Sequence, residues 1–359
     1  MPTEGQRMRA LVYHGRSDLR YEDFPAPSRL GALEVRLRVK YAGICHTDFN
    51  ELGNGPIYIA EKPHPRTGRS IPIIPGHEFA GEVIEIGSSV RHLRTGDRVA
   101  VNAVDACRDC YLCRQGKYAL CPSAAYIGFS RDGGFSEFAI VPEDCCYRLG
   151  SDISVRVGAL VEPLAVALHA VKQSQLRIGS RVAVVGGGTI GLCTLQALRA
   201  TGARTVFVVE KSEAKRKLAE DLGATAFINP AHDNPREAVQ ELTDGLGADV
   251  TFECVGSDAA LNTAVDVTRP GGTICLVGAY PGPLRYDFNV LMSKEKTIVT
   301  SLAYGDEFST VIAMLADARL KAEPLITRTL SLAEALEKGL RQYESFAPTN
   351  IRTIIDMEL

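Results

Sequence analysis

No uninterrupted apolar run in the 359 residues approaches the roughly 20 needed to span a bilayer, so nothing in the sequence suggests a helical membrane segment. Charge of one sign is missing as well. Forty basic residues stand against 43 acidic ones, for a formal net charge of −3, and such a balance gives no reason to expect a nucleic-acid or anionic-membrane partner. The opening residues, M-P-T-E-G-Q-R-M-R-A, lack the apolar core of a signal peptide, so the expected location is cytoplasmic. No internal repeat or low-complexity stretch stands out. What is present is ordinary for a globular chain, with 45% hydrophobic and 23% charged residues. The length exceeds that at which one core usually keeps growing, and two domains are expected.

The ten cysteines are unevenly placed. Cys107, Cys110, Cys113 and Cys121 form C-x2-C-x2-C-x7-C, and Cys45 stands beside His46 in a polar loop. In a reducing compartment clustered thiols read as metal ligands rather than disulfides. The short spacing lets one loop wrap four thiolates around a tetrahedral ion. Zinc fits, and a closed shell of four sulfurs leaves no place for substrate. An iron–sulfur cluster is the alternative, because ferredoxins use a similar run. Cys145, Cys146, Cys193, Cys254 and Cys275 lie mainly in apolar surroundings and read as small core residues.

The first third alternates short β-rich runs (Leu33–Val39, Gly81–Ile86, Asp97–Val101, Phe138–Val141) with Gly and Pro, which predicts a barrel-like or irregular β domain. Residues 54–70, rich in Pro and Gly, predict a surface loop. From about residue 165 strands and helices alternate. Arg181–Val185, Thr205–Val209, Asp249–Glu253 and Thr273–Val277 are strand candidates; Ile190–Ala200, Ser212–Leu222 and a stretch capped by Asn234-Pro235 and running through Leu242 are helical. Such alternation implies parallel strands with crossover helices on both faces. Arg352–Ile355 reads as a closing strand that returns to the first domain.

Gly186-Gly187-Gly188-Thr189-Ile190-Gly191 satisfies G-x-G-x-x-G between a strand and a helix. Gly186 permits the tight turn, Gly188 lets the backbone approach a pyrophosphate, and Gly191 lets helix and strand pack closely. The helix amides then face the phosphates. Glu210 ends the next strand, about 20 residues on, where an acid accepts the adenosine ribose hydroxyls and repels a 2′-phosphate. NAD is therefore favoured over NADP, with Lys211, Lys215 and Arg216 nearby as the counterweight. Ile190, Lys215 and Val277 are assigned to the same cofactor site. Three further segments offer donors for a second metal: Gly43–Asp48 (G-I-C-H-T-D) a thiolate, Gly76-His77-Glu78 an imidazole and a carboxylate, and Val161-Glu162-Pro163 another carboxylate.

Taken together, G-I-C-H-T-D (43–48), P-G-H-E (75–78), the four-cysteine loop, V-E-P (161–163) and V-G-G-G-T-I-G (185–191) make the chain resemble the zinc-containing medium-chain dehydrogenases over nearly its whole length. The resemblance implies an α/β fold: a GroES-like β-rich catalytic domain (1–164 and 301–359, with a zinc lobe at about 105–123) around a Rossmann doubly wound parallel-sheet domain (165–300). It implies two zinc ions per subunit and NAD. Cys45 and His77 would bind the catalytic zinc with Glu162 as third ligand, directly or through water, and Glu78 as an exchange ligand. Asp48 would orient His77, and Thr47 would pass the hydroxyl proton on. Many relatives place a histidine five residues after the first zinc cysteine; here that position is Asn50, whose amide does not titrate near neutrality, leaving water or another group such as His46.

The insert at residues 55–68 and L-V-E-P-L-A-V-A-L-H-A (160–170) are similar to the butanediol-dehydrogenase branch, with His64 read as structural. The implied reaction is hydride transfer between NAD(H) and a secondary alcohol or ketone, with a vicinal diol or α-hydroxyketone foremost. A sugar-alcohol or threonine dehydrogenase is the second reading, and a non-catalytic NAD-binding structural or sensor protein the third. A small-molecule alcohol or ketone is the expected partner, and the resemblance implies a homo-oligomer, dimer or tetramer.

Overall fold

The computed structural model describes residues 5–284 and 286–359 and divides into two units. One comprises the chain up to Glu162 with Phe308–Ala316 and Ile326–Leu359; the other is Pro163–Glu307 with Asp317–Leu325. The second unit thus extends beyond residues 165–300, and hydrogen bonds show why. Glu307 accepts from Lys172 at 2.8 Å and lies 3.0 Å from His169 Nδ1, both on the helix Val161–Gln173. Lys321 N donates to Gln196 Oε1 at 2.7 Å, holding the 317–325 segment to the helix Thr189–Ala200.

In the first unit, Glu34–Gly43 is the strand around which the largest sheet is built. It pairs antiparallel with Glu78–Ile86, with Phe138–Pro142 and with Arg352–Asp356. The last pairing brings the chain's final strand back to the first domain, with Ile354 opposite Gly43. Ile326–Ser331, Arg98–Val101 and Cys146–Arg148 complete seven strands, and Arg7–Gly15 with Asp18–Pro25 forms a separate hairpin. Alternate residues of the central strand, Val35, Leu37 and Val39, are buried with Leu11, Phe79 and Phe135 in one apolar core. Each such side chain contributes about 1.5–3 kcal/mol by leaving water.

The second unit is a six-stranded parallel sheet in spatial order Ala226–Ile228, Thr205–Val209, Arg181–Val185, Ala248–Glu253, Thr268–Leu276, Thr297–Thr300. The order reverses beside Arg181–Val185, and at such a switch point the strand ends open a crevice for a dinucleotide. Four of these strands fall on the apolar runs expected from sequence, and successive residues such as Val182, Ala183 and Val184 or Val206, Phe207 and Val208 are all buried because both faces are covered; Ala226–Ile228 and Thr297–Thr300 were not expected. No helix among the described residues is long and apolar enough to cross a membrane.

Candidate active site and metal centres

The helix His46–Asn54 begins at Cys45, whose extended backbone (φ −93°, ψ 155°) makes it the N-cap. Asp48 closes the turn: its carboxylate accepts from Cys45 N at 2.9 Å. One helical turn therefore presents the Cys45 sulfur while burying Asp48 beside it. The Cys45 thiol donates to Thr47 Oγ1 at 3.6 Å. From the facing sheet, His77 immediately precedes the strand Glu78–Ile86. Its turn needs glycine at position 76, where φ is +94° and a Cβ would lie 2.5 Å from the Phe135 ring.

These segments converge. One donor atom each from Cys45, His77 and Glu78 lies within 4.8 Å of the other two. His77 Nδ1 is 3.5 Å from Asp48 Oδ1 and His77 Nε2 is 3.8 Å from Glu78 Oε1, so one ring nitrogen faces the orienting carboxylate and the other faces the donor group. Burial pulls the imidazole down, but the Asp48 carboxylate and the Cys45 sulfur more than reverse this, and it is held well above its ordinary value. Glu78 Oε2 and His77 Nδ1 are buried without a hydrogen-bond partner. A half-buried thiol beside a buried imidazole and a buried carboxylate with acceptor capacity to spare form a donor set that fits zinc.

Glu162, expected as third ligand, is not in this trio; Glu78, expected only in exchange, is. Adjacency to His77 brings Glu78 in, and Arg352 holds it by donating to Glu78 Oε1 at 2.7 Å and to Ile44 O at 2.5 Å. Glu162 is buried in the first turn of Val161–Gln173. Sequence reading passed over Arg352, since an arginine opening an apolar strand carries no signal of the residue it will meet. Around the trio, Phe129 lies 4.9 Å from the His77 ring, and His46 packs against Phe49 and Tyr343, with centroids 5.5 and 5.3 Å away. Burial lowers the His46 imidazole's pKa. Burial also pushes Tyr343 up to about 12.

The donor atoms of Cys107, Cys110, Cys113 and Cys121 likewise lie within 4.8 Å of one another, and none of them is in a disulfide. Three of the sulfurs accept backbone amides: Cys121 from Cys107 N at 3.5 Å, Cys107 from Cys110 N at 3.4 Å, and Cys110 from Cys113 N at 3.5 Å. Amides from Asp109 and Cys110 bring the Cys107 thiol down to about 6, favouring the thiolate that a metal needs. The set fits a four-thiolate ion.

In the second unit, Gly186 and Gly188 form the turn after Arg181–Val185, and Gly188 caps the helix that carries Ile190. Gly191 cannot be larger, because a Cβ there would lie 1.8 Å from Gly186 O. Glu210 accepts from Gly187 N and from Ser212 N, each at 2.8 Å, and Lys215 Nζ lies 3.7 Å away. The carboxylate is thus fixed against the glycine turn. Val277 donates to Glu253 O at 2.9 Å. Glu253 itself, fully buried, was not singled out from sequence; its side chain accepts from Val255 N, Gly256 N and the Tyr280 hydroxyl.

Two family models match: "Alcohol dehydrogenase GroES-like domain" over residues 31–151 and "Zinc-binding dehydrogenase" over residues 189–317. The (R,R)-butanediol dehydrogenase of Bacillus subtilis is 36% identical over 334 residues, covering 92% of this chain and 95% of the relative. A crystal structure of 2R,3R-butanediol dehydrogenase from Bacillus subtilis superposes with a TM-score of 0.89 at 34% identity, covering 97% of this chain and 99% of that one. Sorbitol dehydrogenase of Bacillus subtilis is 32% identical over 94% of this chain and 95% of its own. A zinc-binding dehydrogenase structure from Sinorhizobium meliloti 1021, bound to NADP, superposes with a TM-score of 0.85 at 28% identity, covering 98% and 99%. On the converging donors, the glycine turn and these likenesses, the chain belongs to the zinc-dependent alcohol and polyol dehydrogenases of the medium-chain family.

Proposed function

We propose that the enzyme transfers hydride between NAD(H) and a small vicinal diol or α-hydroxyketone of the 2,3-butanediol/acetoin type. The Cys45–His77–Glu78 trio carries the reading, together with the 36% identity to a butanediol dehydrogenase. Cys45, His77 and Glu78 would hold the catalytic zinc, with Glu162 acting through water, and the four-cysteine loop would hold a structural zinc. Bound zinc supplies Lewis acidity to the substrate oxygen, and the nicotinamide supplies the hydride acceptor. The chain's own residues do the rest. Asp48 fixes the His77 ring, and Thr47 Oγ1 would accept the substrate hydroxyl proton while its own hydroxyl hydrogen passes on to water or to another group such as His46. Asn50, one turn further along that helix, offers an amide that can hydrogen-bond but does not titrate near neutrality. Gly186, Gly188, Ile190, Gly191 and Val277 form the dinucleotide site. Glu210, with Lys215 beside it, receives the ribose hydroxyls and favours NAD over NADP, although a relative binds NADP.

A sugar alcohol is the second reading, favoured by the 32% identity to sorbitol dehydrogenase. Following NAD reduction over 2,3-butanediol, sorbitol and threonine, with zinc counted per chain, tests both readings. Turnover of sorbitol or threonine without butanediol overturns the first. A homo-oligomer is also proposed. The strand Thr297–Thr300 ends the six-stranded sheet with an open edge, and Phe288, Met292 and Leu302 near it in sequence are exposed. Light scattering on Ile298→Lys, expected to yield a smaller assembly than the parent, checks it.

A further inference from the structure

We propose that Tyr58 limits the size of the substrate, and that Glu51 is the positioning residue that holds Tyr58 in place. The inference rests on the reading of small alcohols as substrates.

Residues 55–70 form no helix or strand, yet the segment is pinned at both ends. Near its start the backbone amides of Ile57, Tyr58 and Ile59 all donate to the Glu51 carboxylate, at 2.9, 3.1 and 3.1 Å. Glu51 is buried on the helix that also carries Cys45, Thr47 and Asp48. A carboxylate gathering three successive amides fixes the backbone through charge-assisted bonds, each stronger than a neutral one. Near its far end Arg66 donates to Asp105 Oδ1 at 2.8 Å and Arg69 to Asp132 Oδ1 at 2.7 Å.

A segment held this firmly nevertheless leaves Ile57 50% and Tyr58 55% exposed. Their exposure on an anchored backbone leaves the Tyr58 ring accessible to a bound molecule while its position is fixed. The Tyr58 ring lies 5.7 Å from the Phe129 ring, tilted 60°, and Phe129 in turn lies 4.9 Å from His77. The three rings make a shelf that begins at the donor trio and ends in solvent. An alcohol with its oxygen at the trio starts where this shelf starts, and Tyr58 stands at its outer end. Contact with one methylene in an apolar pocket changes kcat/KM by about 10- to 200-fold, enough to separate a four-carbon from a six-carbon diol.

The chain contains no tryptophan, so Tyr58→Trp introduces a single indole reporter. In the zinc-loaded, NADH-bound enzyme, where a diol binds without reacting, indole emission should shift saturably with 2,3-butanediol. Tyr58→Ala should raise kcat/KM for 1,2-hexanediol relative to 2,3-butanediol about tenfold. Glu51→Ala in the Tyr58→Trp background should increase acrylamide quenching and move the same preference, while Glu51→Gln recovers part of both. Unchanged emission with an alcohol that the enzyme turns over, or an unchanged length preference in Tyr58→Ala, overturns the proposal. An enzyme that rejects butanediol but oxidises sorbitol refutes the diol reading, and its six-carbon substrate overturns the size limit at Tyr58 with it, whereas an unchanged length preference in an enzyme that turns over butanediol overturns the limit alone.

Discussion

Glu78 has two unequal oxygens: one accepts from the Arg352 guanidinium at 2.7 Å, and the other is buried without a partner. Removing one member of a buried ion pair costs about 3–5 kcal/mol because the remaining charge stays uncompensated. Arg352→Ala should therefore lower unfolding free energy by about 3 kcal/mol in chelator-treated protein, and by less when zinc is present. Denaturant titrations with and without zinc check this, and an equal loss in both states would refute the coupling. Glu210 tests the proposed dinucleotide site of the second unit. Hydrogen bonds to a charged group are worth about 1.5–3 kcal/mol, so Glu210→Ala should lower kcat/KM for NAD by about 10- to 100-fold and reduce discrimination against NADP. Steady-state kinetics with both cofactors measure it. That an acid would stand against the glycine turn was legible in the sequence, because the motif fixes where the next strand ends, and Glu210 does accept from Gly187 N. Arg352 was not, since its partner lies 274 positions away and only strand pairing brings the two together.

At the scale of elements, Asp249 ties neighbouring strands together. It accepts from Arg181 N at 2.8 Å, and Arg269 Nε donates to its other oxygen at 2.7 Å; these residues lie in Arg181–Val185 and Thr268–Leu276. Burial would raise its carboxyl, but the bonds from Arg181 and Arg269 outweigh this and hold it at about 2. A depressed folded-state pKa gives stability that is present above the unfolded value of about 4 and is lost as pH falls through about 2. Allowing for solvent screening, Asp249→Asn should remove about 1–2 kcal/mol of this acid-sensitive stability. Melting temperature against pH would then be flatter for the variant between pH 4 and 2.

The strands were easier to read from sequence than the helices. Arg181–Val185 and Thr205–Val209 emerge from their apolar runs because both faces are covered. The charged stretch 212–222 divides instead into a short turn, Glu213–Lys215, and the helix Arg216–Asp221. The strand Thr268–Leu276 begins five residues before its apolar run, because a register shift opposite Ala248–Val250 accommodates Pro270-Gly271-Gly272. Nothing local to Pro-Gly-Gly announces a strand.

For the whole molecule, the two donor clusters should fail differently. The four-cysteine lobe contains little regular structure: Val104–Asp105 pairs with Ala125–Tyr126, and the intervening chain holds only the short turns Cys113–Gln115 and Tyr118–Leu120. With so little regular structure, the lobe would depend for its shape on the structural zinc proposed for it, because binding energy at such a site is folding energy. The Cys45–His77–Glu78 group is held by a helix, a sheet and the Arg352 ion pair, so its frame exists before any ion arrives. Cys113→Ser should therefore retain one zinc of two per chain, lose several degrees of Tm and expose the lobe to proteolysis. Cys45→Ser should also retain one zinc, keep its Tm within about 2 °C and lose turnover at least 1000-fold, since it removes an interaction used at the reacting oxygen rather than in the fold. Metal analysis, calorimetry and kinetics on the same two preparations separate the cases. A Cys45→Ser variant that unfolds early, or a Cys113→Ser variant that is fully stable, would mean that the assignment of one site to chemistry and the other to structure is reversed.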